Sequence, residues 1–92
     1  MQHYKYFNGR VGQLDGTFDA GVEVINIIGQ KEKLKDFKGL FKIGIQTDPL
    51  TMIQVNGVDI KIGRSGIYEL DTVMIYSLKF LNTTTALVDY VY

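Results

Sequence analysis

Asn56-Gly57, set between Met52-Ile-Gln-Val55 and Val58-Asp-Ile-Lys-Ile62, is the feature that most narrows what this chain can become. Asn and Gly tolerate the positive φ angles of a type I′ turn, whose twist matches that of two flanking antiparallel strands. The pair therefore predicts a hairpin in which residues 52–55 pair with 58–62. Val58, Ile60 and Ile62 then share one face, with Asp59 and Lys61 on the other. The same period of two recurs on both sides. Phe41, Ile43 and Ile45 alternate with Lys42, Gly44 and Gln46 until Asp48-Pro49 interrupts the ladder. Residues 67–70 read as a short strand between the turn Gly63-Arg-Ser-Gly66 and Asp71-Thr72. Residues 73–80 read as another, with Met74, Tyr76, Leu78 and Phe80 on a wholly apolar face, and residues 86–92 as a closing strand after the polar turn 82–85.

The first forty residues are less regular. Tyr4, Tyr6, Phe7 and Phe18 are interspersed with Gly9, Gly12, Gly16 and Gly21, which predicts a short strand and turns. Residues 22–28 are β-branched at nearly every position and predict a strand ended by Gly29. The one stretch with helical spacing is 31–38, where Leu34, Phe37 and Phe41 fall at i, i+3 and i+7 before Gly39. Ten Ile, eight Val and seven Thr against two Ala favour strands throughout. With 92 residues there is room for one domain, 1–92, and no linker or repeat divides it. The expected fold is all-β: a small antiparallel sandwich or barrel of six to eight short strands, with at most one short helix near 31–38.

Chemistry is sparse. Without cysteine the chain has no disulfides and no thiol nucleophile, and the single histidine, His3, stands near the N-terminus without partners for metal or acid–base work. Ser65 and Ser77 lack the surroundings of an activated nucleophile. Asp15, Asp19, Asp48, Asp59 and Asp71 have no calcium-loop spacing, and Gly63-x-x-Gly66 lacks the Lys and following helix of a phosphate loop. No enzyme activity, cofactor or metal is expected. Ten basic and ten acidic residues cancel, which argues against nucleic acid as a partner, and the lysines at 31, 33, 35 and 38, mixed with Glu32 and Asp36, read as a solvated face. No run is apolar and long enough to span a bilayer, and the N-terminus lacks a signal-peptide core, so a membrane is not expected either. The tyrosines carry more information. Tyr68, Tyr76, Tyr90 and Tyr92 gather in the C-terminal half and form the candidate interaction surface, because tyrosine is rigid, amphipathic and suited to protein contacts or sugar stacking.

Lys42-Ile-Gly-Ile-Gln-Thr-Asp-Pro49, the Asn56-Gly57 hairpin, Ile62-Gly-Arg-Ser-Gly-Ile-Tyr-Glu-Leu-Asp71 and Val88-Asp-Tyr-Val-Tyr92 together resemble a short β module of structural proteins from tailed phages and prophages of Gram-positive bacteria. The likeness covers residues 42–92. It implies a fibre, tail or accessory virion protein, found in the virion or in the host cytoplasm during assembly, that forms a homo-oligomer or docks on another virion protein. The alternative is a carbohydrate-binding or host-attachment module that uses exposed tyrosines. Open edge strands in a small domain without disulfides favour pairing with a neighbour.

The closing strand bears Val88, Tyr90 and Tyr92 on one face and Leu87, Asp89 and Val91 on the other, as expected of an inner strand or of an edge covered by another subunit. Deleting residues 88–92 would strip buried side chains worth about 1.5 to 3 kcal/mol each from a domain of about 5 to 10 kcal/mol in all. The truncated protein is expected to be unfolded or aggregated by circular dichroism and light scattering. An unchanged melting temperature would show that the strand carries no core.

Overall fold

The Asn56-Gly57 turn forms as its residues require, with φ of 51° at Asn56 and 81° at Gly57. A computed structural model describes residues 10–35 and 37–92. Among them run β1 (Val11–Phe18), α1 (Val24–Lys31), β2 (Lys42–Gln46), β3 (Met52–Val55), β4 (Val58–Lys61), β5 (Ile67–Leu70), β6 (Leu78–Phe80) and β7 (Thr84–Val91). The strands make a four-stranded sheet in the order β1-β7-β2-β5 and a three-stranded sheet in the order β4-β3-β6, with every neighbouring pair antiparallel. The expected all-β sandwich is therefore present. Among the described residues no helix is long and apolar enough to cross a membrane.

Alternation decides which side chains enter the space between the sheets. Ile43 and Ile45 of β2, Val88 and Tyr90 of β7, Ile53 and Val55 of β3, and Leu78 and Phe80 of β6 are all buried there. Phe18 of β1 stacks on Phe80 of β6 with ring centroids 4.9 Å apart, joining one sheet to the other. β7 is an inner strand paired along its length with β1 and over Leu87–Val91 with β2, as its two apolar faces foretold. Phe41 shares the parity of Ile43 and Ile45 but lies outside β2 and is 45% exposed, while Val58 overhangs the core at 60%.

The N-terminal half departs from the sequence reading at three places. β1 is an eight-residue strand where a short strand and turns are predicted, and it holds Gly12 and Gly16 within it. Residues 24–28 form not a strand but most of α1, and of the helix expected at 31–38 only Lys31 is helical among the described residues. As a strand, this stretch would align Val24, Asn26 and Ile28 and carry Asn26 inward. As a helix it buries Val24, Ile25 and Ile28 together and leaves Asn26 outside. The helix propensity that β-branched residues give up is at most about 0.7 kcal/mol each, whereas burying each side chain contributes about 1.5 to 3 kcal/mol, so packing wins.

Glu23 sets where α1 begins. Its side chain accepts from Ile25 N at the start of the helix (3.4 Å), from Ser77 Oγ (2.7 Å) and from Leu78 N (2.7 Å), while Gly21 N donates to Phe80 O (2.9 Å). The segment entering α1 thus covers the outer edge of β6. Asn56 performs a second tie: its Nδ2 donates to Met74 O (2.9 Å) and its Oδ1 accepts from Tyr76 N (2.9 Å) and Ser77 N (3.2 Å). That tie breaks the strand expected over 73–80. Only Leu78–Phe80 is strand, and burial switches parity across residues 76 and 77, so that Ile75 joins Leu78 and Phe80 inside while Met74 and Tyr76 face out.

Because Glu23 is a charged acceptor for donors on two elements, Glu23→Ala is expected to destabilise the protein by about 2 to 3 kcal/mol in denaturant titration, against about 1 kcal/mol for Ser77→Ala. A Glu23→Ala loss below that of Ser77→Ala would show that the clasp does not hold β6.

Candidate interaction surface

The end of β7 meets the end of α1 through two tyrosines and one carboxylate. Gly12 of β1 lies opposite Tyr90, and the Tyr90 ring occupies the space a side chain at Gly12 would take, so this pairing needs glycine. The ring passes beneath Lys31, whose ammonium sits 5.8 Å from its centroid and donates to Gln13 O on the β1 edge. Tyr90 and Tyr92 both donate their hydroxyls to Glu32, Tyr92 at 3.0 Å, and their rings lie 5.9 Å apart. Burial first, and then the bond to Glu32 and its negative charge, hold the Tyr90 hydroxyl well above the usual tyrosine range. Tyr92 is raised chiefly by its bond to Glu32, with Arg10, 5.2 Å from its ring centroid, opposing.

Beyond Glu32 the helix stops in a Schellman arrangement, Lys33 N bonding Gln30 O (3.3 Å) and Leu34 N bonding Gly29 O (3.1 Å). Lys33 takes the left-handed position, φ 56°, where glycine is the favoured residue and a side chain costs about 1 kcal/mol. The chain then turns back, and Phe37 packs against Gly29. A groove results, of about 240 Å³, with Leu34, Phe37, Phe41, Met74 and Tyr92 along it and Arg10, Lys35 and Lys38 at its sides. Leu34 and Phe37 continue into a shallower depression beside α1 that includes Ile25 and Lys33.

On the outer face of the four-stranded sheet, Gly44 leaves a dent of about 230 Å³ between Glu69 and Asp89, beside Lys42. Its polar groups are partly engaged, since Gln13 donates to Asp89 at 2.8 Å.

The four candidate tyrosines do not form one surface. Tyr90 is 1% exposed and is a core residue, because it pairs directly with Ile43 and its side chain shares that residue's inward face. Tyr68 packs against the core from β5, Tyr92 lines the groove, and Tyr76 stands out at 60% exposure near β6. His3 lies outside the described residues. Ser65 caps Ile67 N and Ser77 donates to Glu23, so both serines serve the fold. Among the described residues no group of three or more His, Cys, Asp or Glu side chains could hold a metal ion. Sequence reasoning did not single out Arg10, read Lys33 with its neighbouring lysines as a solvated face, and missed the joining of Leu34 and Phe37 to Met74 and Tyr92. Apolar residues alternating with lysine over 31–38 were the visible signal, but no local pattern tells which distant side chains complete the groove. The chain matches no model of a known protein family, no curated protein and no solved structure.

An unfolded tyrosine ionises near pH 10, while folded Tyr90 keeps its proton well above that. The unfolded state therefore releases protons first, and this contribution to stability is complete below about pH 10 and declines as pH rises further. Tyr90→Phe is expected to lose about 1 kcal/mol at pH 7 with the Glu32 bond and to show a shallower fall in melting temperature above about pH 10 than the wild type. Parallel melting curves for the two proteins would contradict this.

Proposed function

We propose that the chain is a noncatalytic interaction domain that assembles with copies of itself, in the manner of the virion modules that residues 42–92 resemble. The observation that carries this reading is the clustering of exposed apolar side chains. Of the nine large hydrophobic residues standing exposed among the described ones, Val73, Met74 and Tyr76 share one segment, and Val58 stands on the hairpin to which Asn56 ties that segment. Reciprocal bonds of 2.8 Å between Leu40 and Ile75 lay Phe41 across from Met74. Asn56 binds the same segment to the hairpin tip two residues before Val58. A patch of aromatic, methionine and valine side chains held by backbone and side-chain bonds has the composition of an interface centre. Tyr76, one of the four tyrosines singled out in the sequence, is 60% exposed within it.

Sedimentation velocity tests the reading. The wild type is expected to sediment as a homo-oligomer at concentrations on the order of 100 µM, and Tyr76→Glu as a monomer, because a buried charge at an interface centre costs about 2 kcal/mol or more. A monomeric wild type at that concentration rules out self-assembly through this face.

A further inference from the structure

Among the described residues no strand pairs with the outer side of β4, whereas β6, at the other side of the same three-stranded sheet, is covered by the segment entering α1. Ile62 N donates to Thr51 O (2.8 Å), and the register pairs Ile60 with Ile53 and Val58 with Val55. Residues 58, 60 and 62 therefore turn their N–H and C=O groups toward β3, and those of Asp59 and Lys61 point to the open side. The side chains of Asp59 and Lys61 are exposed and share the outer face of the sheet, where Gln54 Nε2 donates to Asp59 at 3.1 Å. Ile60 between them packs against the core. A lysine on an edge strand ordinarily keeps other strands away. Here an aspartate two residues earlier supplies the opposite charge on the same face.

From this arrangement we propose that β4 pairs antiparallel with β4 of a second copy about a two-fold axis at Ile60, joining the two three-stranded sheets into one. In that register Asp59 lies opposite Lys61 of the second copy, and Lys61 opposite its Asp59. Each of these pairs exchanges two backbone hydrogen bonds and sets opposite charges side by side. An axis at Asp59 would set aspartate against aspartate, and an axis at Lys61 lysine against lysine, so charge selects one register. β5, an edge of the four-stranded sheet, lacks this property. Gly66 O accepts from Thr47 N (2.8 Å), so by alternation the outward groups of β5 belong to Ile67 and Glu69. Self-pairing centred on Tyr68 sets Glu69 opposite Ile67 and gives it no cation. The edge contact shares with the self-assembly reading the kind of partner, a second copy, but not the surface. Tyr76 lies on the far side of the same sheet, since Ser77 O accepts from Asn56 N on the β6 side of β3.

The test uses the Tyr76→Glu protein as parent, so that the patch around Tyr76 does not enter. The edge contact is small and falls at the weak end of protein interfaces, with a dissociation constant on the order of 1 mM when it acts alone. Amide resonances are followed by NMR on dilution from about 2 mM to about 0.1 mM, a range that spans that constant. The N–H groups of Asp59 and Lys61 are expected to shift with concentration, and those of Ile67 and Glu69 to stay fixed. Asp59→Lys and Lys61→Asp should each weaken association by about tenfold, because both charge pairs become repulsive. An equimolar mixture of these two proteins should recover it to within about threefold of the parent, because each then carries the charges the other needs. Lys61→Pro removes an outward N–H without touching the ladder to β3, and should abolish association while circular dichroism shows the sheet still folded. The proposal is overturned if the Asp59 and Lys61 amides do not move up to about 2 mM. Single charge reversals that associate as the parent does, or a mixture that associates no better than its components, would overturn it equally. None of these outcomes bears on the Tyr76 patch, which sedimentation of the wild type decides separately.

Discussion

One carboxylate, that of Glu23, ties the start of α1 to β6. A helix start leaves backbone N–H groups without partners, and the edge of a sheet leaves more. Glu23 accepts from both, binding Ile25 N on α1 and Leu78 N on β6, with Ser77 Oγ as a third donor. Hydrogen bonds to a charged acceptor are stronger than neutral ones, and here the acceptor lies between two elements that would otherwise need separate partners. The consequence is spatial as well as energetic. With α1 held against β6, Val24, Ile25 and Ile28 reach the core, and the β6 edge is closed to other strands.

At the opposite end of α1 the logic is one of fit. Tyr90 projects from an inner strand across Gly12, and its hydroxyl reaches the first residue after the helix. The phenol is thus buried without losing its hydrogen bond, which is the condition for tolerating a polar group in a small core. Lys31 covers the ring and caps a carbonyl on the β1 edge, so that this edge too is partly closed.

Much of the C-terminal half was legible because its information is local. Asn56-Gly57 specifies its own turn, Ile43 and Ile45 alternate with residues that need not be buried, and the two apolar faces of the last strand called for neighbours on either side. The N-terminal half and residues 73–77 were not legible for the converse reason. Valine and isoleucine at 24, 25 and 28 favour a strand in isolation, and only the core they enter, with Glu23 to start the helix, reverses that preference. Likewise 73–80 alternates well enough to be a strand until the Asn56 side chain, some twenty residues earlier in the sequence, takes up the N–H groups of Tyr76 and Ser77. Of the candidate surface, Tyr76 is exposed, Tyr92 is partly buried along the groove, and Tyr90 proved to be interior.

The division between what was written locally and what assembly decided follows from the range of the interactions. The hairpin, the strand parity of β2 and β7, the neutral charge and the shortage of reactive side chains are properties of neighbouring residues or of composition, and the sequence alone determined them. Where the helix lies, where 73–80 breaks, which tyrosines are buried and how Leu34 and Phe37 come to share a groove with Met74 and Tyr92 depend on contacts between residues far apart in the chain. Those contacts form only when the two sheets close on one another, and the apolar surface buried then outweighs the local preferences that alone would have chosen otherwise.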